Sequence, residues 1–106
     1  MNKNIERKPM LIQHDPAHNQ WFTTVNGIGQ AMVLQIQRMP HISQVTQVEH
    51  QSYLVKFFRA FTTNKQDVIN TGLLFLSTVY DVPLMFCEYR QNEDGSIWFF
   101  VSENFK

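Results

Sequence analysis

The tetrapeptide Asn92-Glu93-Asp94-Gly95 constrains this chain more than any other stretch, because it joins two apolar runs, LMFCEYR and SIWFFVS. Asn suits the first position of a type I turn, and Gly at the fourth accepts the left-handed backbone of a G1 bulge. Such a turn dictates the register of the hairpin it closes. Asn92 falls opposite Ser96, Arg90 opposite Trp98, Glu88 opposite Phe100, and Phe86 opposite Ser102, all on one face. The other face carries Tyr89 opposite Phe99 and Cys87 opposite Val101, with Met85 and Ile97 nearby. The second face is apolar enough to be a core. The first mixes aromatic with charged and polar groups, so it needs its own covering or a partner.

Upstream, Asn64 is a helix cap and Asp67 favours the first turn that follows it. Val68, Gly72, Phe75 or Leu76, and Val79 keep a three-and-four spacing. Gly72 lowers helix stability by about 1 kcal/mol relative to Ala. Its place on the apolar stripe implies close approach of another backbone. Pro83 forces Val82 out of the helical region, which ends the helix near Asp81.

The first half of the chain is less constrained. Residues 9–14 hold Met10, Leu11 and Ile12, a short strand at best. Asp15-Pro16 has the chemistry of a helix start, but Asn26-Gly27 is a stronger hairpin signal and predicts a hairpin over about residues 20–38. Leu34, Gln35, Ile36 and Gln37 alternate at strand period, and Pro40 ends the run. Residues 43–61 read as a helix with Ser43 as cap, Leu54, Val55, Phe58 and Phe61 on one side, and Phe57 flanking. Their aromatic richness leaves a strand reading open from Tyr53 onward.

The expected fold is therefore one α+β domain over residues 1–106, with 1–8 as a frayed tail. It is a two-layer sandwich in which two helices cover one face of a mainly antiparallel sheet of about four strands, in the order ββααββ. The length suffices for a core without staples. The composition, 43% apolar and 13% aromatic, is that of a globular chain.

Nine basic residues balance nine acidic ones, which argues against a generic nucleic-acid binder, since that needs a phosphate-neutralising excess. Lys3, Arg7 and Lys8 cluster near the start, but with no apolar partner they read as a solvated tail. The single Cys87 forbids an intrachain disulfide and suits a reducing compartment. No stretch resembles a signal peptide or a membrane span, so a cytoplasmic location is expected.

No catalytic, cofactor or metal motif emerges. His14 and His18 have ligand spacing, but Pro16 interrupts them and no third ligand follows. Cys87 could be a nucleophile beside His41 or His50, yet in the hairpin register it faces the core. Gly27-Ile28-Gly29 lacks the rest of a phosphate-binding loop and fits a turn. The sheet aromatics could stack bases, but without the basic pattern of RNA-binding sheets that reading is weak.

The strongest functional signal is the mixed hairpin face. Trp98, Phe100, Phe86, Arg90 and Glu88 form a candidate partner-binding surface, with a cation–π pair expected between Arg90 and Trp98. The competing expectation is that Leu11, Ile12, Trp21 and Phe22 cover this face from within the chain. The leading expectation is a small non-catalytic binding protein that docks on a protein partner or on itself, as inhibitors, immunity proteins and regulatory adaptors do. The alternative is a homo-oligomeric ligand-binding or enzyme domain. Its pocket would be lined by Phe57, Phe58, Phe75 and Tyr80, with His50 as its polar group.

Overall fold

Three antiparallel hairpins build the whole sheet. The computed structural model describes residues 9–59 and 64–105. The chain runs β1 (Met10–Asp15), β2 (Gln20–Asn26), α1 (Gln30–Gln37), β3 (Ile42–Glu49), β4 (Ser52–Phe57), α2 (Lys65–Tyr80), a short 3-10 turn at Leu84–Phe86, β5 (Cys87–Gln91) and β6 (Ile97–Val101). The six strands lie in the order β3-β4-β2-β1-β6-β5, and every neighbouring pair is antiparallel. The first hairpin occupies the centre, and each outer hairpin attaches to it by its second strand.

Each helix carries the chain to an edge, and its length matches the journey. From β2 to β3 is two strand spacings, about 10 Å, and the eight residues of α1 span about 12 Å. From β4 to β5 is four spacings, about 19 Å, and the 16 residues of α2 span about 24 Å. Both helices bury their apolar sides in one core with the inward face of the sheet, where Met10, Ile12, Val25, Val55, Phe57, Ile97 and Phe99 meet Val33, Ile36, Val68, Phe75 and Leu76. The α+β class and the two-layer arrangement thus match expectation. The strand number and the order ββααββ do not: the described residues form a sheet of six strands in the order ββαββαββ.

The terminal hairpin has the expected register. Arg90 pairs with Trp98, Glu88 with Phe100, Tyr89 with Phe99, and Cys87 with Val101. Gly95 takes a φ of +93° and donates its N–H to the Asn92 carbonyl, while Asn92 N–H donates to Ser96. Ile97, Phe99, Val101 and Cys87 are buried, but Tyr89 is 42% exposed at the sheet edge and Met85 is 82% exposed. Neither belongs to the core, because β5 lies at the rim and Met85 sits in the 3-10 turn outside the sheet.

Helix α2 also follows its sequence. Asn64 Oδ1 accepts from the Gln66 N–H, and Asp81 ends the helix in the left-handed conformation. Gly72 is buried against a side chain, not the backbone that its position suggested. A methyl group there would lie 2.7 Å from Phe99 Cε1 and nearer still to the rest of that ring edge.

Two further expectations fail. Residues 20–38 are not a hairpin: 20–26 form β2, but Gln30–Gln37 is helical. Gly27 has the expected positive φ, yet its N–H donates to Gln51 at the far end of the neighbouring hairpin. Ala31, Met32, Leu34 and the glutamines are good helix formers, and a helix turns Val33 and Ile36 inward while Leu34 stays 54% exposed. Residues 43–61 are not a helix over their described part, which is the β3–β4 hairpin. Their β-branched residues favour strand, and Tyr53, Val55 and Phe57 point inward at period two. The helical spacing rested on Phe58, which is 54% exposed, and on Phe61, which lies outside the described residues. Asp15-Pro16 starts a turn instead of a helix, with the same chemistry: Asp15 Oδ1 accepts from Ala17 N–H. The tail at 1–8 lies outside the described residues.

Two outcomes follow from this packing. Gly72→Ala should destabilise the protein by about 1–3 kcal/mol, because overpacking against Phe99 outweighs the gain in helix propensity. Denaturant melts will read it, and Phe99→Leu in the same background should recover part of the loss. The second outcome concerns the β5–β6 turn, where the Ser96 hydroxyl and N–H both donate to Asp94 and hold its carboxyl below its ordinary pKa. A depressed pKa adds stability above the unfolded-state value and loses it as pH falls through the folded one. Carboxyl titration by NMR should find Asp94 low, and Ser96→Ala should move it back upward.

Candidate functional site

The sheet face opposite the helices carries a belt of large apolar side chains. Pairing sets the belt. Leu11 on β1 lies beside Trp98 on β6, which lies beside Arg90 on β5. Phe22 on β2 sits between Gln13 and Lys56, and Lys56 is next to Gln44. Leu54 on β4 sits between Thr24 and Thr46. Phe100 is beside Glu88. Leu11, Phe22, Leu54, Trp98 and Phe100 are all half-buried, as is Lys56, while Gln13, Thr24, Gln44, Thr46, Glu88 and Arg90 are exposed. The apolar members are spread over four strands, with Leu11 and Trp98 direct cross-strand neighbours, and the polar members surround and interrupt them.

Strand alternation creates this face. Ile12, Thr23, Val55 and Ile97 point to the helices, so their sequence neighbours must point the other way. Thr23 is a polar residue on the inward face, fully buried, and its hydroxyl donates to the Leu11 carbonyl at 2.7 Å. That bond ties β2 to β1 beneath the belt and satisfies a hydroxyl that burial would otherwise penalise by roughly 1–3 kcal/mol.

Of the residues expected at a binding surface, Trp98, Phe100, Arg90 and Glu88 share the open face. Phe86 does not belong with them. It lies in the 3-10 turn, with Phe105 against it at a ring separation of 5.3 Å, and both pack on the core. The cation–π pair does not form: Arg90 and Trp98 are opposed, but no ring contact joins them among the described residues. Glu88 and Arg90 make no ion pair there either.

The segment expected to cover the face instead enlarges it. Ile12 and Trp21 turn inward, while Leu11 and Phe22 join the belt as members of central strands. Leu54 and Lys56 were not anticipated at all. Their signal was the alternation over 52–57, masked by a helical reading of the same residues.

The other candidates are dispersed. His14 near the end of β1 and His18 in the β1–β2 turn are both exposed; His18 Nδ1 lies 2.7 Å from Asp15 Oδ2 and His14 Nε2 lies 3.2 Å from Asn19 Oδ1. Among the described residues no group of His, Cys, Asp and Glu side chains is placed to hold a metal ion. Cys87 is buried beside Val101, its thiol directed to the Pro83 carbonyl at 3.7 Å and pushed up in pKa by burial. Phe57 and Phe75 are core partners in an edge-to-face contact at 5.9 Å, Phe58 is exposed and His50 lies in the β3–β4 turn, so these side chains do not line one pocket. No described helix is long and apolar enough to cross a membrane.

No protein-family model, curated protein or solved structure matches the chain.

The two tryptophans report the two faces. Trp21 is 7% exposed on the inward face, while Trp98 is only half-buried on the open one. Trp98→Phe should leave a blue-shifted emission that acrylamide quenches poorly, and Trp21→Phe should leave a readily quenched one. Equal quenching in both variants would mean that the belt is covered.

Proposed function

We propose that the chain is a small non-catalytic binding module of the cytoplasm that docks the open sheet face onto a protein partner. The observation that carries this reading is the belt itself: Trp98, Phe100, Phe22, Leu11 and Leu54 gathered on a face that neither helix covers. An interface core of aromatic and aliphatic side chains within a polar rim has this composition. Trp98 belongs to the row that runs from Leu54 through Leu11 to Arg90, and tryptophan is among the residue types enriched at hot spots. Lys56, Glu88 and Arg90 add charges that have no internal ion-pair partner among the described residues, and such rim charges give orientation more than affinity.

Bare zero net charge and the scarcity of cations on the face support a protein over a nucleic acid as the partner. The balance of apolar and polar groups suits a surface that is exposed in one state and buried in another, as an inhibitor, immunity protein or adaptor requires.

The test is a partner recovered with the wild-type chain and identified by mass spectrometry, then titrated against variants. Trp98→Ala should weaken that complex by about 2–4 kcal/mol while the isolated protein keeps most of its thermal stability, since the buried Ile97, Phe99 and Val101 are untouched. Phe22→Ala should weaken it too, because it lies on the same belt. If Trp98→Ala unfolds the free protein, or leaves the complex unchanged, the belt is not the docking surface.

A further inference from the structure

The sheet ends at two edges that differ in kind. Edge strand β3 is irregular, with register shifts between Ile42 and Gln44 and again between Gln47 and Glu49. Bulges of this sort blunt an edge against pairing. Edge strand β5 runs without a shift from Cys87 to Gln91, and among the described residues no strand pairs with its outer side.

Backbone parity says which groups that outer side presents. Asn92 N–H donates to Ser96, and the Phe86 carbonyl accepts from Ser102 N–H. Inward-bonded residues alternate along an antiparallel strand, so Phe86, Glu88, Arg90 and Asn92 bond toward β6. Cys87, Tyr89 and Gln91 therefore turn their N–H and C=O groups outward.

We propose that β5 pairs with β5 of a second copy of this chain, antiparallel about a two-fold axis at Tyr89. Two independent features point to this occupant. The first is the backbone. Centring the axis on Tyr89 sets Tyr89 against Tyr89 and Cys87 against Gln91 of the other copy. These are the residues with free outward groups, and together they supply about six hydrogen bonds. An axis centred on Glu88 or Arg90 would set inward-bonded residues against each other.

The second feature is charge. The same register sets Glu88 against Arg90 of the other copy, twice by symmetry. Both side chains are exposed and neither has an ion-pair partner within its own copy among the described residues. These are the non-hydrogen-bonded positions, where opposed Cα atoms approach to about 4.5 Å and side chains interact most closely. A strand bearing two like charges would repel its copy; one bearing Glu88 and Arg90 two residues apart complements itself. On the helix side, the 42%-exposed Tyr89 rings meet at the axis. The exposed Leu84 and Met85 precede β5 at each end of the junction.

Sedimentation velocity of the full chain tests this. The wild type should dimerise at micromolar concentrations. Glu88→Arg and Arg90→Glu should each raise the dimer dissociation constant by about tenfold or more, since each replaces two attractive cross-strand pairs by two repulsive ones. The double variant Glu88→Arg with Arg90→Glu should restore the dimer. Tyr89→Cys should form an intermolecular disulfide on mild oxidation, because opposed residues at the axis lie about 5.5 Å apart, whereas Val48→Cys on the blunted edge should not. Circular dichroism melts will show that each variant is folded. A wild type that stays monomeric overturns the proposal. So does a dimer indifferent to the single reversals, or one that the double variant fails to restore. A dimer lost through Trp98→Ala but kept through the charge reversals would put the contact on the open face and overturn it as well.

Discussion

The contact between Gly72 and the ring of Phe99 sets the spacing of the two layers. A helix normally rests on a sheet through its side chains, but here α2 meets the Phe99 ring with bare backbone. Phe99 in turn is flanked by Met10 on β1 and Tyr89 on β5, so one aromatic ring fills the space under the helix over three strands. Farther along α2, Phe75 meets Phe57 of β4 edge-on. The two contacts lie within one turn of each other, so the middle of α2 is held at once to β6 and to β4. With α2 so placed, α1 has only the β3 side left to cover, and its eight residues suffice.

The parts of the fold that could be read directly are those whose signals are local. The β5–β6 register follows from four turn residues, and α2 from a cap, a stripe and a proline, all within one element. The stretch from Asn26 to Phe57 resisted for a physical reason. Its β3–β4 turn is His50-Gln51, with Gln51 at a φ of +59°, a conformation usually marked by glycine or asparagine. Without that mark two strands looked like one helix, while the well-marked Asn26-Gly27 led into a helix instead of a strand. Tertiary packing decided both cases: Val33 and Ile36 had an inward face to reach only as a helix, and Val55 and Phe57 only as a strand.

The candidate surface was legible to the same extent. Trp98, Phe100, Arg90 and Glu88 share a face because one turn puts them there. That Leu11, Phe22, Leu54 and Lys56 extend it depends on β1 lying between β2 and β6, a pairing between segments far apart in sequence. Phe86, which the same alternation would have added, leaves the set because the chain enters β5 through a 3-10 turn and Phe105 folds back on it.

The central place of β1 governs how the molecule can be made. Met10 pairs with Phe99 and Ile12 with Ile97, so nearly the whole described chain separates partners that lie side by side. Contacts of such sequence separation slow folding, since a long loop must close before they form. On a ribosome, β1 and β2 would emerge early with one side of β1 unsatisfied, and Leu11 and Ile12 would wait for the last strand to arrive. The sheet can be completed only once β6 has been made, and until then one side of β1 is an open edge.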